Sequence, residues 1–171
     1  ALAGPVHTGH GVRVDAGPSE VFVGTRALVP AHWPNGGWAT IERIADVGSV
    51  PRDAEDDVPE AKRSHEAPRG GTFVPADRTH LERWALAEDA WMQGYWNWDW
   101  SDEQLPVAKV DPAAGTVTLA APHRYGLAQR GRFRVTNVLE ELDAPGECWI
   151  DRTGLRVVAW LPDDVPDAER L

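Results

Sequence analysis

The chain has one cysteine, two lysines and no long apolar run, and each shortage removes a class of protein. With Cys148 alone among 171 residues there is no intrachain disulfide and no thiolate cluster for zinc or iron–sulfur. No apolar stretch approaches the roughly 20 residues that a membrane-spanning helix needs, and no basic start with an apolar segment behind it marks a signal peptide. Positive charge is scarce: 17 Lys and Arg, of which only Lys62 and Lys109 are lysine, stand against 27 Asp and Glu, a net charge of −10. Nucleic acid or an anionic membrane surface would need a basic patch that displaces counterions, so neither is expected as a partner. The chain starts Ala-Leu-Ala-Gly-Pro without methionine, as expected of a processed product or a piece of a longer protein.

What the chain has in excess is tryptophan, nine residues, and four of them fall in WMQGYWNWDW, residues 91–100. Trp96, Trp98 and Trp100 alternate with Asn97, Asp99 and Ser101, which predicts an extended strand with indoles on one face and polar groups on the other. Such a face either packs a core, which apolar alternation favours for at least two of the rings, or forms a stacking floor for a sugar. In the second case Asn97, Asp99 or Asp102 would bond the hydroxyls. Tyr95 and Trp96, at the strand entrance, are the members expected to remain exposed.

Short strands and turns fill the rest. GVRVDAG, SEVFVGTRALV and GWATIERIAD read as hairpin strands near the start, with VPAHWPNGGW as a corner because proline cannot donate to a central ladder. Residues 46–71 hold almost no large apolar side chain and read as a long exposed acidic loop. Over 78–90 the Thr79/Glu82 capping-box spacing and the positions of Leu81, Trp84, Ala85 and Trp91 predict one short helix. LPVAKVD, GTVTLAAP, GRFRVTNVL, GECWID and LRVVAWLP then recur at the rhythm of an all-β sandwich or barrel. The expected fold is therefore all-β: a β-barrel domain over 1–162, as one barrel or as paired small barrels or a sandwich. In the divided form 1–45 joins 72–162 across the loop 46–71, and 163–171 is a tail or linker.

Three stretches carry a resemblance: SEVFVGTRALVPAHWPNGGW, RWALAEDAWMQGYWNWDW and RFRVTNVLEELDAPGECWIDRTGLRVVAWLP. In this order, over somewhat under half the chain, they resemble the inserted β-barrel region of right-handed parallel β-helix glycoside hydrolases, the α-1,3-galactosidase-like group and its bacterial relatives. The third is the most specific, with the pattern N-x-L-x-x-LD-x-PGE-x-x-x-D over 137–151. Cys148-Trp149 stands where the family pattern has an aromatic pair, and the loop 46–71 has no counterpart. The resemblance implies a carbohydrate-active, secreted or extracellular parent whose catalytic carboxylates lie on β-helix coils, and the stacked repeats of such coils are absent from this sequence. It implies carbohydrate and an adjoining β-helix domain as partners, no cofactor, and an accessory rather than catalytic role for the chain itself.

The candidate carbohydrate contacts are Tyr95, Trp96, Trp98, Asp99, Trp100, Asp102 and Glu147. Glu140, Glu141, Asp143, Glu147 and Asp151 form the densest acid cluster, and two carboxylates about 5–10 Å apart can serve as acid and base in glycoside hydrolysis. Asp143-Ala-Pro-Gly146 is also a turn signature, so turn and surface chemistry is the favoured reading and no catalytic residue is assigned. His7 and His10 lack the further ligands a metal requires. Cys148 beside Trp149 reads as a buried, inert thiol. Three functions stay open: an accessory barrel lining a glycan site, an independent carbohydrate-binding module using 95–102, and an assembly domain whose Trp33, Trp38 and Trp160 face protein.

Overall fold

The computed structural model describes residues 19–165 and, by backbone alone, two short strands that precede them, β1 (Val6–His7) and β2 (Arg13–Val14). Most of the expected GVRVDAG strand, the side chains of His7 and His10, and the tail beyond 165 lie outside the described residues. The remaining strands are β3 (Val21–Val23), β4 (Arg26–Pro30), β5 (His32–Trp33), β6 (Ala39–Asp46), β7 (Thr72–Pro75), β8 (Trp91–Tyr95), β9 (Asp102–Asp111), β10 (Thr116–Leu119), β11 (Arg132–Thr136), β12 (Glu147–Asp151) and β13 (Arg156–Ala159). The protein is mostly strand, as expected.

Six strands close a barrel in the order β6-β7-β10-β9-β8-β11, with β11 returning to β6 and every pairing antiparallel. Closure removes the edges that an open sheet would present. Alternate residues point inward, so β10 buries Val117 and Leu119 and β11 buries Phe133 and Val135. Phe73, Met92, Trp96 and Leu105 complete the interior, with Phe73 edge-on to Phe133 at a centroid separation of 5.2 Å.

β5 and β6 are one strand interrupted. Trp33 pairs with Val135 and Ala39 with Phe133, so residues 34–38 loop out opposite Arg134 alone. The bulge contains the cis Trp33–Pro34 bond, and Arg134 Nε holds it by donating to the Gly37 carbonyl at 2.9 Å. This is the corner the prolines predict.

The second sheet is an open half-barrel in the order β13-β12-β4-β3, with β12 and β4 parallel and the other pairs antiparallel. One face presents Leu28, Cys148 and Ile150 to the interior. The other carries Phe22, Val29, Trp149, Val158 and Trp160, of which only Trp149 is half-buried and the rest are exposed. Asn137, in the left-handed region at φ 61°, joins the two sheets: its Oδ1 accepts from Ile150 N at 2.9 Å and its Nδ2 donates to Ile150 O and Asp89 O.

Two expectations need correction. The helix over 78–90 is a single turn, α1 (Leu81–Trp84), which packs Leu81 and Trp84 onto the core. Thr79 does not cap it. Its backbone N–H and its hydroxyl both bond Asp77 Oδ1, and beyond Trp84 the chain tightens into i→i−3 bonds and opens at the exposed Leu86. The strand over 96–101 is the loop of the β8–β9 hairpin, since Tyr95 pairs with Asp102. The loop 46–71 is irregular apart from two 3-10 turns, Pro51–Ala54 and Glu60–Lys62. Its own ion pairs close it, and a two-pronged Arg124–Glu55 bridge fastens it to the barrel.

Candidate functional site

The hairpin loop 96–101 separates the three indoles. Trp96 folds back into the barrel and is fully buried, its ring parallel to Phe133 with a 5° interplanar angle and its Nε1–H donating to Glu103 O at 3.0 Å. Gly94 makes room for it, because a Cβ there would lie 2.7 Å from the Trp96 ring. Trp98 and Trp100 point outward, 50% and 60% exposed. Trp96 is thus withdrawn from the predicted exposed set, and two of the three rings stay at the surface.

Around the tip the contacts are continuous. Trp100 meets Tyr125 edge-on at 5.3 Å, and Asn97 Nδ2 donates to the Tyr125 carbonyl. Asp99, largely exposed, pairs with Arg132 at 2.7 Å, and that guanidinium lies 4.9 Å from the ring centre of half-buried Tyr95. Tyr95 in turn meets Trp38 edge-on, with Arg134 over the Trp38 ring. Asp102 is exposed and receives a long 3.4 Å bond from Gln93. The tip therefore offers aromatic faces beside carboxylates and guanidinium groups. Tyr125 and Trp38 were not singled out as members from the sequence. Both sit in Gly/Pro-rich segments without periodicity, and only the tertiary fold brings them to 95–102.

Two acids of the motif, Glu141 and Glu147, are buried, while Glu140 and Asp143 are exposed. Glu141 is wholly buried, accepting from Trp84 Nε1 at 3.0 Å and lying 2.7 Å from His80 Nδ1. Glu147, placed with the glycan contacts by sequence, is 3% exposed and uses Oε2 to accept the Asp143 and Ala144 N–H groups of the turn it follows. It is withdrawn from the surface set for that reason. Its Oε1 lies 2.9 Å from His32 Nδ1 without the alignment of a hydrogen bond, and that nitrogen is shared with Pro30 O at 3.2 Å. Asp143 accepts from Asn35, and Asp151 is held below the usual carboxylate range by the Gly154 N–H and then by Arg156. Burial, with Glu147's charge second, pushes the Cys148 thiol up to about 11. Among the described residues no three His, Cys, Asp or Glu side chains stand close enough together to hold a metal ion.

Beneath the tip lies a couple that the sequence does not advertise. Glu103 is 5% exposed with Oε1 unbonded, and its Oε2 is 3.6 Å from His123 Nε2, which makes no hydrogen bond. His123 Nδ1 lies 3.0 Å from Gly126 O and 3.3 Å from the Tyr125 amide nitrogen. Burial raises Glu103 to about 7, offset in part by the Arg124 N–H and guanidinium, and burial lowers His123. Burial thus favours the neutral form of both groups.

At the opposite end of β8 a cleft of about 270 Å³ opens between the barrel and the half-barrel sheet. Its walls include Leu86, Glu88 and Leu139 on the barrel side and Trp149, Asp151 and Arg156 on the sheet side.

Comparison of the chain with protein families, with curated proteins and with solved structures found no match.

Proposed function

We propose that the chain is a non-catalytic accessory β-barrel domain of a secreted, glycoside hydrolase-like β-helix protein, supplying glycan contacts from its hairpin tip. The observation that carries this reading is the outward pair Trp98 and Trp100 beside Tyr125, Asp99 and Asp102. Exposed indoles on a loop held by a closed barrel are positioned without further ordering, which limits the entropy lost on binding. The accessory role draws support from the acid motif, whose Glu141 and Glu147 are occupied by tryptophan and backbone N–H groups. It draws further support from the exposed apolar face of the half-barrel sheet, a surface of the kind that meets other protein.

The test is a glycan array read with the purified chain and with a Trp98→Ala/Trp100→Ala variant. Binding to galactosides or related glycans that the variant loses, with no sugar released, is the expected result. Silence from a folded chain removes the independent-module form of the reading, and hydrolysis by the chain alone overturns its non-catalytic part. The assembly reading is favoured by one observation, the exposed sheet face with Trp160 48% exposed. Trp33 and Trp38 are engaged within the chain instead, against His80 and Trp84 and against Tyr95.

A further inference from the structure

The cleft between barrel and half-barrel sheet holds four carboxylates, Glu88, Asp89, Glu140 and Asp151, against two guanidinium groups, Arg152 and Arg156. Asp89 pairs with Arg152 and Asp151 with Arg156, which neutralises both arginines. Glu88 and Glu140 have no ion pair or hydrogen bond among the described residues, so the cleft carries two uncompensated negative charges. Its sheet-side wall includes half-buried Trp149, whose ring and Nε1–H likewise make no contact of that kind among the described residues.

Trp149 also belongs to the outer face of the half-barrel sheet. The ladder places it beside Val158, and on the same side of the sheet, past the buried Glu147, come Val29 and, through Ala27, Phe22. Phe22, Val29, Val158 and Trp160 are 43–54% exposed there. The acidic cleft is therefore the border of an apolar surface.

We infer that this surface docks a protein partner that covers the apolar face and inserts an arginine side chain into the cleft, over Trp149 and between Glu88 and Glu140. Charge complementarity selects the occupant. A planar guanidinium stacks on an indole and bonds two carboxylates at once, while its methylene stem lies along Leu86 and Leu139. A compact ammonium uses less of this geometry, and a neutral ligand leaves both carboxylates uncompensated. The inference rests on the accessory-domain reading only for the existence of an adjoining protein.

The probe is L-argininamide, with L-citrullinamide, which keeps the α-ammonium but has an uncharged side chain, and glucosamine as controls, followed by the indole N–H resonances of ¹⁵N-labelled protein. Argininamide is expected to shift the Trp149 indole signal at millimolar concentration while citrullinamide does not. Glu88→Gln and Glu140→Gln should each weaken the shift about fivefold. Both residues are exposed and without an ion pair or hydrogen bond among the described residues, so neither substitution should disturb folding. An equal shift by citrullinamide, no shift by argininamide, or a stronger shift by glucosamine would overturn the inference, the last by reassigning the cleft to an amino sugar. The glycan-tip reading is followed on different signals, those of Trp98 and Trp100, so the two can fail separately.

Discussion

Replacing Glu103 with glutamine should stabilise the protein above neutral pH and do little near pH 4.5. In the fold, burial raises this carboxyl from 4.5 to about 7, so the folded state holds the proton more tightly than the unfolded chain does. Stability from that difference is present below 4.5, declines as pH rises, and is fully lost above about 7. The difference corresponds to about 3 kcal/mol. Glutamine keeps the shape of the protonated acid and cannot ionise, so the variant escapes the loss. His123 works in the other sense, because its lowered value removes stability as pH falls below 6.5. It lies 3.6 Å from Glu103, so the comparison reads the pair. The assay is urea unfolding of wild type and Glu103→Gln at intervals from pH 4.5 to 8.5. The gap should widen in favour of the variant by about 3 kcal/mol, roughly 6–12 °C in Tm for a chain of this size. Parallel pH profiles would refute the claim that Glu103 is protonated and buried in the native state.

Other substitutions separate structural from surface roles. Trp96→Ala should cost about 3–5 kcal/mol in urea unfolding, since it empties a fully buried site and orphans Glu103 O, whereas Trp98→Ala and Trp100→Ala should stay within about 0.5 kcal/mol. Glu141→Ala should cost about 3 kcal/mol, because the buried Trp84 Nε1–H and His80 lose their acceptor. Cys148, with its thiol pushed up to about 11, should resist iodoacetamide at pH 8 in the native protein and react on unfolding in urea.

The strands were legible because they are local. Alternation in TVTL and RFRVT marks inward residues directly, and the Gly-Thr turn between β3 and β4 falls where its residues place it. Barrel closure was not, since the return of β11 to β6 and the five-residue bulge opposite Arg134 join residues about ninety positions apart. Two local patterns gave different outcomes in the fold. The capping spacing of Thr79 and Glu82 lost to the side chain of Asp77, two residues earlier. The Trp/Asn/Asp/Ser alternation has the period of a strand, but Asn, Asp and Ser are also loop formers, and the space above Gly94 lets the loop turn one ring in and two rings out. Of the site, Trp98, Trp100, Asp99 and Asp102 could be read from sequence as neighbours. Tyr125, the Glu103–His123 couple and the cleft lined by Trp149, Glu88 and Glu140 could not, because each is assembled from separate strands and loops.

The most direct test of the central claim is an indole ¹⁵N NMR titration of the whole chain with a galactoside. Shifts confined to Trp98 and Trp100 are expected, with Trp96 unmoved inside the barrel. Shifts at Trp149 alone, or none at any indole of a folded protein, would contradict a glycan contact at the hairpin tip.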